Sequence, residues 1–345
     1  QTWEAKRGVM MKILPRNSIL SIILFTFILL FIFFTYVLTV DIYQNDQYKK
    51  GSFVHYEKFP SDNVSTRPVD IWLPEGYFEN ADRHYPVIYL HDGQGMFNKE
   101  TSPQASIWYR PLDWLWGGIF WDLDASISKL VSEGKIEPVI LVSIWNTPGK
   151  RALEFMPKKP VIESRTYITE IKEDGLTLFG ILELGDSVFT PEMIISDNYL
   201  KFIVEELKPF VDLKYRTKPN RENTFIMGSS KGGLISAYAI SEYPEVFGGA
   251  ACLSTDWSIG KGAEIAWFQT NWPVAGSHRI YFDMGTGFID THFEPYQNEM
   301  DKVMIKHGYT DGKDWVTKKF EGAGHFPKQW RSRMHIPLIF LLGQN

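Results

Sequence analysis

The 345-residue chain carries one cysteine, which excludes a disulfide within it. Cys252 lies in the apolar run GGAACLS, where a thiol reads as a small buried hydrophobe and not as a redox centre. Strong charge of either sign is also lacking: 36 basic residues face 41 acidic ones, for a net charge of −5. There is no basic stripe and no aromatic-rich RNA motif, which argues against nucleic acid as a partner. The phosphate-loop pattern G-x-x-x-x-G-K-[ST] is missing, and so is H-E-x-x-H. The Asp and His residues are scattered, so neither a metal nor another cofactor is expected.

Near the N-terminus stands a long uncharged run. From Asn17 to Val40 no residue is charged and most are Ile, Leu, Phe or Val. About 20 apolar residues suffice to cross a bilayer as a helix. Lys6, Arg7, Lys12 and Arg16 precede the run, and Asp41 and Asp46 follow it. The positive flank is therefore expected in the cytoplasm and the rest of the chain outside it. A signal-peptide core is shorter, about 7–15 residues, and is followed by an A-x-A-like site that is absent here. We read residues 1–16 as a cytoplasmic segment and 17–40 as a transmembrane signal anchor. A cleaved signal peptide, leaving a secreted or periplasmic protein, is the alternative. No cysteine stands just after the run, where a lipid would be attached. The sequence opens on Gln1, and Met10 or Met11 is a candidate start.

Residues 41–50 form a polar linker, and residues 51–345 read as a folded domain. Strands are expected at 52–57, 66–73, 86–91, 138–145, 223–228, 248–254, 279–285 and 314–322. Helices are expected at 121–134, 198–215, 232–243 and 295–308. Strands alternating with helices imply an α/β fold: a mostly parallel sheet flanked by helices. Residues 158–195 break the rhythm and read as an insertion or cap. Residues 107–121, IWYRPLDWLWGGIFW, are rich in tryptophan.

The stretch FIMGSSKGGL, 225–234, runs from a strand into a helix through Gly-Ser-Ser-Lys-Gly-Gly. It matches the nucleophile elbow G-x-S-x-G, a strained turn whose residues two before and two after the serine approach closely. Ser230 has Gly228 and Gly232 in those places, whereas Ser229 would have Met227 and Lys231, which would clash. Ser230 is the candidate nucleophile, and it needs a base held by a carboxylate, in the chain order Ser, acid, His. Of the eight histidines, His325 lies in the Gly-rich loop EGAGHFPKQW after the last strand, where a catalytic imidazole belongs. The acid is sought after the strand RIYFDMG, among Asp283, Asp290 and Glu294. Asp290, a few residues beyond the strand, is favoured, with Glu294 second. The amide of Lys231 and one from the loop HDGQGMF, at Gly93 or Gln94, are candidates for an oxyanion hole.

These residues and the stretches YLHDGQGMF, SIWNTPGKRALEFMP, SDNYLKFIVEELKPF, YFDMGTGFIDTHFEPYQ and KKFEGAGHFPKQW carry a resemblance. Over residues 55–343 the chain resembles the esterases of the α/β-hydrolase fold that include enterochelin (siderophore), feruloyl and acetyl-xylan esterases. The resemblance implies a serine esterase with Ser230 as nucleophile, His325 as base and Asp290 as acid. Relatives often have Met where Lys231 stands and Asp where Gly324 stands; the Lys231 ammonium could favour acidic substrates or lower the serine's pKa. The Trp-rich stretch is also longer than usual.

The substrate is expected to be a small-molecule or carbohydrate ester. Trp108 and Trp114, with Tyr109, Trp116 and Trp121, suit stacking on a sugar or a feruloyl ring, packing under a cap, or a place near the membrane interface, where Trp is enriched. Arg151 could clamp a carboxylate, or form a structural ion pair. A siderophore trilactone esterase, an acyltransferase and a non-catalytic surface module of the same fold are the alternatives. Oligomeric state is not legible.

Overall fold

Continuous apolar runs predict strands buried on both faces, and such strands build the centre of the sheet. The computed structural model describes residues 24–29, 31, 48, 50–97, 120–163, 191–258 and 262–343. The chain divides into two compact units, Gln1–Gln47 and Tyr48–Asn345. In the first, residues 24–29 and 31 are helical with exposed side chains. Most of the expected membrane run, 17–40, lies outside the described residues. Among the described residues no helix is long and apolar enough to cross a membrane. Residues 164–190 of the expected insertion and 107–119 of the Trp-rich stretch also lie outside them.

In the second unit the elements follow in this order: β1 (Ser52–Phe59), β2 (Arg67–Leu73), β3 (Val87–Leu90), α1 (Leu123–Ser132), β4 (Ile140–Ile144), α2 (Arg151–Phe155), α3 (Lys158–Glu163), α4 (Ser196–Lys201), α5 (Lys208–Lys214), β5 (Thr224–Ser229), α6 (Lys231–Glu242), β6 (Gly249–Leu253), α7 (Ala263–Asn271), β7 (Arg279–Gly285), α8 (Glu294–Lys306), β8 (Trp315–Phe320), α9 (Pro327–Arg333) and α10 (His335–Leu342). The eight strands form one sheet in the order β1-β2-β4-β3-β5-β6-β7-β8. β1 and β2 are antiparallel to their neighbours, and the others run parallel.

Alternation along the parallel strands feeds two cores. Val87 and Tyr89 of β3, with Ile280 and Phe282 of β7, face α4, α5, α6, α7 and α8. Ile88, Leu90 and Tyr281 face α1, α9 and α10 on the other side. Cys252 is a buried member of the first core. The helix expected at 198–215 is interrupted: Phe202–Leu207 is a π-helical stretch between α4 and α5. Pro209, at the start of α5, has no N–H for the carbonyl four residues back, so the ladder widens there.

One polar pair lies inside the first core. Arg67 gives two bonds to Glu154, at 2.7 and 2.9 Å, with both side chains buried and the guanidinium over the rings of Tyr199 and Phe202. Arg67→Met leaves the Glu154 carboxylate buried without its cation, and is expected to lower stability by about 3–5 kcal/mol. Urea unfolding checks this, and the double variant Arg67→Met, Glu154→Leu is expected to recover most of the loss.

Candidate active site

Ser230 sits between β5 and α6 with φ 57 and ψ −124. A non-glycine residue in such a region costs about 1–3 kcal/mol and persists only when its surroundings hold it. Here the Ser230 amide donates to Leu253 O at 2.9 Å, tying the turn to the end of β6. A Cβ on Gly228 would stand 2.6 Å from the Gly232 carbonyl carbon. A Cβ on Gly232 would meet Asp92 and His91 at 3.4 Å, an ordinary contact. The demand for a small residue therefore falls mainly on Gly228, although the sequence places glycine at both positions. Gly233 is tighter than Gly232, since its Cβ would reach within 2.7 Å of Thr255 Oγ1.

Asp290 lies in the turn Phe288–His292 after β7, with its carboxylate buried. His325 Nδ1 is 2.6 Å from Asp290 Oδ1. The Gly285 amide and the Ser254 hydroxyl donate to Oδ2, at 2.8 and 2.6 Å. Burial raises the Asp290 pKa, but the hydrogen bonds from His325, Ser254 and Gly285 outweigh it and hold the carboxyl below its ordinary range. The two loops are joined: Gly287 N–H donates to Ala323 O at 2.9 Å, and a Cβ on Gly285 would stand 2.0 Å from that oxygen. The His325 ring meets Trp330 edge-on at 5.0 Å and Phe293 at 5.7 Å. With Asp290 accepting at Nδ1, Nε2 carries the basic lone pair. The other two candidate acids are placed elsewhere. Asp283 is buried in β7 against Arg333, and Glu294 begins α8, bonded to Lys319 at 3.0 Å.

The loop after β3 turns at Asp92, whose φ of 57 is left-handed, into the short turn Gly93–Gly95. Three donors hold the Asp92 carboxylate: Arg151 Nε and Nη2 at 2.6 and 2.7 Å and Asn146 Nδ2 at 2.6 Å. Burial raises Asp92, yet the Arg151 cation and these bonds keep its carboxyl below the usual range. Arg151, expected from the sequence as a substrate clamp or a member of a structural ion pair, donates from Nε and Nη2 to Asp92. Gly93 O accepts from Ser143 Oγ at 3.1 Å, and Gln94 Oε1 accepts from the Asn146 amide at 3.2 Å. A Cβ on Gly93 would lie 2.7 Å from the Ile144 backbone, so this position requires glycine. His91 is buried beside Tyr199 OH at 2.8 Å, and burial lowers its pKa to about 3, so it is neutral.

Lys231 is the first residue of α6, where amides have no carbonyl within the helix. Its buried ammonium lies 3.5 Å from Asp256 Oδ2, so its charge already faces a carboxylate. Trp108 and Trp114 lie outside the described residues. Trp121 is buried against Trp330, with ring centroids 5.6 Å apart. Sequence reasoning missed Asp92, Ser254, Trp330 and Arg333. A signal for Ser254 was present: it follows β6, beside the strand that bears Ser230, and sites in such sheets gather at the carboxyl ends of strands.

Residues 185–335 match a family model described as "Putative esterase". The uncharacterized protein YbbA of Bacillus subtilis is 23% identical over 289 residues, covering 82% of this chain and 95% of that protein. An endo-1,4-beta-xylanase/feruloyl esterase of Xylanibacter ruminicola is 27% identical over 183 residues, 52% of this chain and 18% of that protein. Among solved structures, a ferulic acid esterase superposes with a TM-score of 0.55 at 17% identity, covering 85% of this chain and 98% of the other. The enterobactin esterase of Shigella flexneri gives 0.53 at 15% identity, over 85% of this chain and 58% of its own. The sheet order, the strand-turn-helix at Ser230 and the match over residues 185–335 agree: the chain is similar to this esterase family, is an esterase, and has an α/β-hydrolase-like fold.

Proposed function

We propose that the chain is a serine carboxylic-ester hydrolase working through an acyl-enzyme. The observation that carries this reading is the 2.6 Å bond from His325 to Asp290, on loops that follow β8 and β7, in a sheet whose β5 ends at the strained Ser230. Ser230 Oγ attacks the ester carbonyl while His325 Nε2 takes its proton. Asp290 holds the imidazole with its proton on Nδ1 and stabilises the imidazolium. The Lys231 amide and that of Gly93 or Gln94 receive the oxyanion. His325 then gives its proton to the leaving alcohol. Water, activated by the same base, releases the acid and restores Ser230.

The substrate class we propose is a feruloyl or acetyl ester on a carbohydrate, supported by the feruloyl esterases among the relatives and by Trp108 and Trp114 in the sequence. We also propose that the domain works outside the cytoplasm, tethered by residues 17–40, on the strength of that run and its basic N-terminal flank. Arg151 is proposed to hold the oxyanion loop and not the substrate, because both arms of its fork engage Asp92.

The test uses a fluorophosphonate probe and three esters: 4-nitrophenyl acetate, 4-nitrophenyl butyrate and methyl ferulate. Peptide mass spectrometry is expected to find the phosphonyl adduct on Ser230, with turnover of at least one ester lost in proportion to labelling. Labelling at another residue, or turnover that survives full labelling, would reject the reading. Arg151→Ala is expected to lower kcat/KM about 10- to 100-fold through loss of a charged hydrogen-bonded pair. Steady-state kinetics on the best of the three esters checks it.

A further inference from the structure

Behind Asp290 lies a buried chain of polar groups that the reaction as described does not use. Ser254 is buried at the end of β6 with φ 39, an uncommon left-handed conformation for a residue with a side chain. Its hydroxyl has three partners: Asp290 Oδ2 at 2.6 Å, Trp330 Nε1 at 3.0 Å and Arg333 Nη2 at 3.0 Å. An indole N–H and a guanidinium N–H can only donate. They fill the two acceptor positions of the hydroxyl, so its single proton is directed to Asp290. Arg333 is itself fixed by Asp283, through Nη2 to Oδ1 at 2.8 Å and Nε to Oδ2 at 3.1 Å. Asp283 also accepts from Tyr281 OH and from the Ser254 amide, each at 3.1 Å.

Trp330 and Arg333 both belong to α9, the helix that begins two residues after His325. The Trp330 ring touches the imidazole edge-on, while its N–H reaches the acid's support. Base and acid thus share one frame, although their loops leave different strands. Resting on the triad reading above, we infer that Ser254, Trp330 and Arg333 are positioning residues for the ester reaction: they direct the Ser254 hydroxyl proton onto Asp290 Oδ2 and so aim Oδ1 at His325.

Two variants of the full chain test this, Ser254→Ala and Trp330→Phe, the second keeping a ring against the imidazole. On the best substrate, Ser254→Ala is expected to lower kcat about 10- to 100-fold and Trp330→Phe about 3- to 10-fold, with KM within about twofold of wild type. The proton NMR resonance of the His325 Nδ1–H, downfield in the wild type, is expected to shift or broaden in both. A role confined to packing would leave that resonance in place once the variants are folded. Wild-type kcat and an unmoved resonance in both variants would overturn the inference. If near-UV circular dichroism shows that Ser254→Ala does not fold, Trp330→Phe decides by the same two readouts. An inactive wild type whose Ser230 ignores the fluorophosphonate would sink the triad reading instead, and the resonance would still report whether Ser254 holds Asp290.

Discussion

Replacing Ser230 with alanine is expected to lower kcat on 4-nitrophenyl acetate by about five to six orders of magnitude. What survives is the contribution of the oxyanion amides and of binding, which in such sites is about 10³–10⁴ over water. Folding should hardly notice. The strain at φ 57 belongs to the backbone, alanine bears it as serine does, and the amide bond to Leu253 O is kept. Stability is therefore expected within about 0.5 kcal/mol of wild type. Initial rates on protein of matched near-UV circular dichroism make the comparison. A residual rate within tenfold of wild type would mean that the nucleophile is not Ser230.

Asp290→Asn is expected to cost about 10⁴-fold in kcat, for a reason of proton inventory. The carboxylate receives three donors, from His325, Gly285 and Ser254. An amide has one acceptor oxygen and one donor nitrogen. If its oxygen serves Gly285 and Ser254, its NH₂ faces His325 Nδ1, which must then accept. The imidazole proton moves to Nε2, and the base loses the lone pair it needs toward Ser230. Nitrogen-15 NMR of His325 would show the exchanged tautomer; an unchanged tautomer with a full rate would refute the argument.

Stability in acid gives a second readout of the same substitution. Asp290's folded pKa is lowered, so it contributes stability that is complete above the unfolded carboxylate pKa of about 3.9 and is lost as pH falls through the lower folded value. The asparagine variant is expected to lose that acid-dependent part, leaving a flatter fall in urea midpoint below about pH 4.

Much of this was legible in the chain. The run VIYL and the stretch RIYFDMG are apolar at both parities, so they announce strands with two covered faces, and the structure has them as β3 and β7. The elbow was legible because close backbone approach leaves a local trace, glycine at 228 and 232. The polar frame was less so. The partners of Arg67 and Arg333 lie 87 and 50 residues away in sequence, and no periodicity or spacing announces such a pair. Arg151 shows the limit most plainly. Its position after β4 marked it as near the site, yet only the fold decided that Asp92 takes both arms of its fork.

By itself the sequence determined the alternation of strands and helices, the place of Ser230 at the strand-to-helix turn and the chain order in which Asp290 and His325 follow it. These rest on short-range rules: side-chain period, the size limit at Gly228, and loops that must follow strand ends. The tertiary structure decided which of Asp283, Asp290 and Glu294 meets His325. It also decided that Lys231 faces Asp256, and that Trp330 and Arg333 of α9 reach Asp290 through Ser254. Those choices depend on distances of 2.6–3.5 Å between residues far apart in the chain. Hydrogen bonds are directional and short, so they are set only when the sheet has brought the strand ends together.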